Sequence, residues 1–176
     1  PLVAGAEAGT SNGALSKVRM ATTSAESNAL DNVNFSATIN AAAFELKVSA
    51  VGLATMYLNQ NAVIPADAEV YVASEVTETS VVLEAVTGAL PANTGVVVRA
   101  NQGTYAFAYT NDSASPIANN LFKGTAENAY ILPSAGSTAF VLSVVDDEVG
   151  MYRAALNGEG KFLNNANKAY TEGRWD

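Results

Sequence analysis

The sequence predicts an all-β fold, an antiparallel β-sandwich of many short strands, and three observations carry that expectation. The apolar residues are Val and Ala more than Leu, which favours strands over long helices. Short apolar or alternating segments recur at regular spacing with turn signals between them. The phrase Ile64-Pro65-Ala66-Asp67-Ala68-Glu69-Val70-Tyr71-Val72 recurs as Leu90-Pro91-Ala92-Asn93-Thr94-Gly95-Val96-Val97-Val98, with a worn third copy in Leu163-Asn164-Asn165-Ala166-Asn167-Lys168-Ala169-Tyr170. Each copy is a stiff turn that launches a strand, because proline fixes φ while Asn, Asp or Gly tolerates the tight backbone. The residues between the copies do not match, so the recurrence is a reused turn inside one domain and not a solenoid.

Taken in order, residues 1–33 are rich in Ala, Ser, Thr, Asn and Gly, contain no aromatic side chain, and read as a polar arm or linker, with one or two helical turns over Ala14–Met20. The chain begins without Met and shows no basic segment followed by an apolar one, as expected of a piece cut from a longer protein. The sandwich is expected over residues 34–176. Phe44-Glu45-Leu46-Lys47-Val48 alternates apolar and polar and places Phe44, Leu46 and Val48 on one face. Strands follow at Leu53–Leu58, Glu69–Glu75, Ser80–Val86, Gly95–Ala100 and Thr104–Thr110, then at Ala129–Leu132, Ala139–Val145, Gly150–Ala155 and Lys168–Thr171. Asn101-Gln102-Gly103, Asn111-Asp112-Ser113 and Asn157-Gly158-Glu159-Gly160 are compact polar breaks suited to hairpins.

Composition then removes whole classes of function. Of the 176 residues 49% are hydrophobic and 15% charged, enough apolar material to fill the core of one domain. The net charge is −8, with no basic stripe, which argues against nucleic acid and anionic membrane surfaces as partners. Apolar runs such as Thr79–Ala89 are interrupted too often to span a bilayer. Zero Cys removes disulfides and thiolate chemistry, and zero His removes the commonest general base and zinc ligand. No enzyme is expected, because carboxylates such as Glu45, Glu69, Glu75 and Glu84 are most simply the outward residues of alternating strands.

An ordered series of phrases resembles a known module. It comprises Val51-Gly52-Leu53-Ala54-Thr55-Met56-Tyr57-Leu58, Ile64-Pro65, Leu90-Pro91-Ala92-Asn93-Thr94-Gly95-Val96-Val97-Val98 and Gly103-Thr104-Tyr105-Ala106-Phe107. It continues with Asn120-Leu121-Phe122-Lys123-Gly124, Tyr130-Ile131-Leu132, Gly150-Met151-Tyr152-Arg153-Ala154 and Asn167-Lys168-Ala169-Tyr170. Together these are similar to the β-rich C-terminal accessory modules of secreted and surface proteins of Bacteroidetes-type bacteria, which follow glycoside hydrolases, polysaccharide lyases or leucine-rich repeats. The resemblance implies a non-catalytic extracellular or cell-surface accessory role, with glycan binding first and a spacer, display or strand-exchange role as the alternative. It supplies no catalytic residue. At Thr171-Glu172-Gly173-Arg174-Trp175-Asp176 the chain departs from the pattern, where such modules often continue into a further strand.

The candidate site residues follow from side-chain chemistry. Sugar rings stack on aromatic faces, so Tyr105, Tyr109 and Trp175 are the candidate glycan contacts. Tyr105, Phe107 and Tyr109 share one face of a strand, which is either a binding platform or the core side of a sheet. Asp146 and Asp147, beside Glu148, offer hard oxygen ligands of the kind Ca²⁺ takes, although a loop of solvated acids is the ordinary explanation for them; no other cofactor is implied. Asp112-Ser113-Ala114 matches the O-glycan acceptor pattern of exported Bacteroidetes-type proteins. Unpaired strand edges, with the polar arm, would suit pairing with another chain.

Overall fold

In the computed structural model the described residues are 43–77 and 79–174, all in one compact unit. The predicted arm over residues 1–33, the helical turn at Ala14–Met20 and Trp175 lie outside them. The fold is all-β and antiparallel, with strands β1 (Ala43–Val48), β2 (Leu53–Leu58), β3 (Ala62–Val63), β4 (Glu69–Val76), β5 (Val81–Ala85), β6 (Ala89–Leu90) and β7 (Thr94–Arg99). There follow β8 (Gly103–Ala108), β9 (Phe122–Thr125), β10 (Ala129–Ile131), β11 (Thr138–Val145), β12 (Glu148–Arg153), β13 (Phe162–Asn164) and β14 (Lys168–Gly173). No helix among the described residues is long and apolar enough to cross a membrane.

Two four-stranded sheets, β2-β7-β4-β5 and β12-β11-β14-β9, make the body, joined by the pairs β1-β8, β3-β6 and β10-β13. The first core lies on one face of the β2-β7-β4-β5 sheet. There Met56, Val70, Val96 and Val98 meet Leu46 of β1, Leu90 of β6 and Phe107 of β8, all buried. The second core lies on the opposite face of that sheet, where Ala73 and Val97 pack against Phe122 of β9 and Ala169 of β14. A third cluster, Ala139, Phe162 and Tyr170, sits where β13 meets β11 and β14, and the Phe162 and Tyr170 rings meet edge to face at 5.0 Å.

This layering explains why β7 breaks the alternating pattern. Thr94 to Val98 are all buried, because odd and even side chains enter different cores, and a strand covered on both faces reads as a continuous apolar run. In β14 the same is true of Ala169, Tyr170 and Thr171. Thr171 sends its hydroxyl to the Leu121 carbonyl at 3.0 Å and so carries no unpaired polar atom into the second core.

The layers touch most closely where β9 runs across β4, β7 and β2 in turn. The Leu121 amide donates to the Ala73 carbonyl on β4. Asn120 accepts from the Ala73 and Phe122 amides through Oδ1 and donates from Nδ2 to the Gly95 carbonyl at 2.8 Å. A Cβ at Gly95 would lie 2.9 Å from the Lys123 carbonyl oxygen, and one at Gly124 only 2.5 to 2.6 Å from Tyr57. Both glycines are therefore required by close approach, not by turn geometry.

The recurring turn is real and differs among its copies. In the second and third, Asn93 and Asn167 take φ of 58° and 57° just ahead of β7 and β14, a conformation Asn tolerates better than most residues. Asn167 also exchanges two bonds with Tyr57, accepting from its amide and donating to its carbonyl from Nδ2. In the first copy the turn is closed by the Ala68 amide on the Pro65 carbonyl.

Three hairpin expectations are corrected. Residues 101–103 join β7 to β8 and residues 157–160 lie between β12 and β13, but neither pair of strands is hydrogen-bonded; both segments carry the chain between layers. Residues 111–113 belong to the long connection from β8 to β9. Consecutive strands pair at β4-β5 and β11-β12.

Glu172 shows how the sheet handles charge. Its side chain is 8% exposed and accepts from Lys123 Nζ at 2.8 Å and Ser134 Oγ at 2.6 Å. Burial pushes its carboxyl up, but the bonds from Lys123 and Ser134 outweigh that and hold it below the ordinary glutamate value. A lowered folded pKa contributes stability above the unfolded-chain value that is lost as pH falls through the folded one.

Two outcomes are expected in urea unfolding. Gly124→Ala and Gly95→Ala each destabilise by about 1–3 kcal/mol through overpacking. Gly158→Ala, whose Cβ would meet nothing within 4 Å, changes stability by less than about 0.5 kcal/mol. Lys123→Met raises the pH of acid unfolding and costs on the order of 1 kcal/mol at neutral pH, a figure kept small because Lys123 is half exposed.

Candidate functional site

The register of β4 against β7 sets Glu69 opposite Arg99, with Tyr71 two residues along β4 on the same face. Arg99 donates from Nε and Nη2 to the Glu69 carboxylate. Tyr71 donates its hydroxyl to the same oxygen at 3.0 Å, and the guanidinium carbon stands 5.5 Å from the Tyr71 ring centroid. The contact fixes Arg99 by both a carboxylate and an aromatic face. The hydrogen bond from Arg99 and then that from Tyr71 hold the Glu69 carboxyl below its usual range. Partial desolvation, followed by the bond to Glu69, raises the Tyr71 hydroxyl.

Glu69 and Arg99 border an open groove of about 630 Å³. Its walls are the β1–β2 turn at Val51 and Gly52, the first-copy turn at Ala66 and Asp67, and the β7–β8 connection at Ala100 and Asn101. The groove thus gathers carboxylates from Asp67 and Glu69, the Arg99 guanidinium and the Asn101 amide, a mixed set of donors and acceptors suited to hydroxyl groups. The turn phrase that is most conspicuous in the sequence builds one of its walls.

The predicted site residues fall in different places. Tyr105 and Tyr109 are half-buried and pack with buried Phe107 against the first core, so their common face is the core side of the sheet. Tyr105 still touches the groove indirectly, since its hydroxyl donates to the Asn101 carbonyl at 3.0 Å. Burial raises the Tyr109 hydroxyl. Asp146 and Asp147, both exposed, are the two central residues of the β11–β12 hairpin, with φ of 51° and 64°. Two successive positive φ values mark a type I′ turn, so these residues have a conformational reason to be Asp. Among the described residues no group of three or more His, Cys, Asp or Glu is placed to hold a metal ion. Ser113 of the O-glycan pattern is exposed on the β8–β9 connection.

Sequence reasoning missed the Glu69, Tyr71 and Arg99 cluster. Glu69 and Tyr71 could be placed on one strand face, but only the pairing of β4 with β7 brings Arg99 to them. It also missed Tyr130, which is 64% exposed beside Leu132 and opposite Leu163 on the β10–β13 ribbon. Comparison with known proteins gives no match to any family model, curated protein or solved structure.

An NMR titration of the Glu69 carboxyl is expected to show ionisation persisting to lower pH than in a free glutamate. Arg99→Ala moves that titration upward, toward the ordinary value.

Proposed function

We propose that this chain is a non-catalytic extracellular accessory module that binds glycan through the groove at Asp67, Glu69, Arg99 and Asn101. The observation that carries the reading is the convergence of those four polar side chains on one open groove, with Arg99 held in place by Glu69 and Tyr71. The Glu69 carboxylate and the Arg99 guanidinium, paired with each other and with Tyr71, can meet sugar hydroxyls with less prior ordering, which lowers the entropic cost of binding. The resemblance to accessory modules that follow carbohydrate-active enzymes supports the same reading. A structural or assembly role is the second reading, and the outer position of β5, which pairs only with β4 among the described strands, favours it.

The test is retention on immobilised plant, host and bacterial polysaccharides. Saturable retention competed by the matching soluble oligosaccharide is expected, and Arg99→Ala and Asp67→Ala each weaken it about tenfold, the equivalent of one lost charge-assisted hydrogen bond of ~1.4 kcal/mol. Tyr130→Ala leaves retention unchanged. Loss of retention in Tyr130→Ala with none in the groove variants would transfer the site to the β10–β13 ribbon, and no retention on any polymer would overturn glycan binding.

A further inference from the structure

We propose that the cleft of about 390 Å³ between β2 and the strands β11 and β14 binds a hydroxylated carboxylate such as a uronic acid, with Lys47 and Lys168 as its cationic groups and Thr55 as its buried hydrogen-bonding residue. This site lies outside the groove at Asp67 and Arg99 and does not depend on glycan binding there. Thr55 is the residue that points to a ligand. It is 5% exposed and lines the cleft, yet its hydroxyl has no hydrogen-bond partner among the described residues. The other buried polar side chains among them are all bonded: Thr94 to the Ala92 carbonyl, Asn164 to Thr125 and the Lys168 carbonyl, and Thr171 to the Leu121 carbonyl. A buried hydroxyl without a partner costs free energy, and such exceptions are few in folded proteins.

The backbone of Thr55 is in the same situation. β2 is an outer strand of its sheet. Its even positions face β7, since the Gly52 carbonyl accepts from the Ala100 amide and the Leu58 carbonyl from the Asn93 amide. Alternation along an antiparallel strand then turns the N–H and C=O of the odd positions to the outer edge. Tyr57 shows the same phase, because both of its backbone groups bond to Asn167. Two residues earlier, Thr55 has no such partner among the described residues. One buried residue therefore offers an N–H, a C=O and a hydroxyl beside a single cleft.

Charge selects the class of ligand. Arg99, Lys123 and Lys161 are each paired with a glutamate, whereas Lys47 and Lys168, which line the cleft, have no ion pair among the described residues. No Asp or Glu lines it, and Ser49, Ser143 and Asn165 add groups suited to hydroxyls. Val141 and Val149 supply an apolar wall for the C–H face of a ring. The acidic turn Asp146-Asp147-Glu148, just beyond Val144 and Val149, and the net charge of −8 oppose an anion from a distance. The lysines act in contact with it, so the two effects respond to salt in opposite directions. Binding governed by the lysines weakens as salt rises; binding governed by the net charge tightens.

NMR titration of the full chain with galacturonate, galactose and acetate, at about 20 mM and about 0.3 M salt, separates these cases. Galacturonate is expected to give saturable shifts at Thr55, Lys47 and Lys168, about tenfold tighter than galactose or acetate and weaker at the higher salt. Lys47→Gln and Lys168→Gln each weaken that binding about fivefold. Thr55→Val weakens it about threefold without lowering Tm, since the hydroxyl it removes has no partner within the fold. Galactose binding as well as galacturonate would leave the lysines no part, and acetate binding as well would reduce the site to an adventitious ion only; either overturns the proposal. Tightening with salt, a lower Tm in Thr55→Val, or no saturation with galacturonate overturns it too. Shifts confined to the groove at Asp67 and Arg99 would overturn this site while leaving the glycan reading intact.

Discussion

The close crossing of β9 over β7 and β2 is the contact on which the other layers depend. It works because Gly95 and Gly124 present no side chain where two backbones and the Tyr57 ring meet. With the backbones this near, ordinary side-chain packing cannot fill the contact, and Asn120 bridges β4, β7 and β9 by hydrogen bonds instead. The cost of burying those amides and carbonyls is offset because each finds a partner. Away from the crossing the layers part, and the clefts beside the β11–β12 arm are the geometric result.

Asparagine has a second use in this architecture. Asn93 and Asn167 supply the left-handed residue ahead of the two strands that are buried on both faces. Asn164, itself buried, donates to Thr125 and to the Lys168 carbonyl, tying β13 to the start of β14. The same side chain thus sets local backbone shape at one position and joins separate strands at another. Charge is treated differently: the Arg99–Glu69 pair remains at the surface, where it orders a groove more than it stabilises the fold.

Strand existence was legible from the residues because period-two and continuous apolar runs directly reflect burial. β2 spans the expected Leu53–Leu58, and most other expected strands shift by a residue or two at their ends. β9 was missed because Phe122-Lys123-Gly124-Thr125 is short and contains a glycine whose purpose is visible only when Tyr57 lies over it. β3, β6 and β13 are also too short to show a period. Polar breaks that resemble hairpin turns proved to be crossings between layers, since turn chemistry reports a change of direction and not the destination. For the same reason the Tyr105, Phe107 and Tyr109 stripe was identifiable as one face, whereas the Arg99 cluster required knowledge of which strands pair.

The placement of β14 between β9 and β11 has a consequence for the order in which the chain acquires its structure. Every member of the first buried core comes from residues 46–107, so that core has all its parts well before β14 has been synthesised. β9 and β11 have no ladder to each other and share a sheet only through β14. The edges of β9 and β11 that flank β14 can therefore pair only when residues 168–173 are present, whereas the other edge of β11 already has β12. The first core can thus be completed from sequence that precedes β9, while the second sheet needs the C-terminal strand to be continuous.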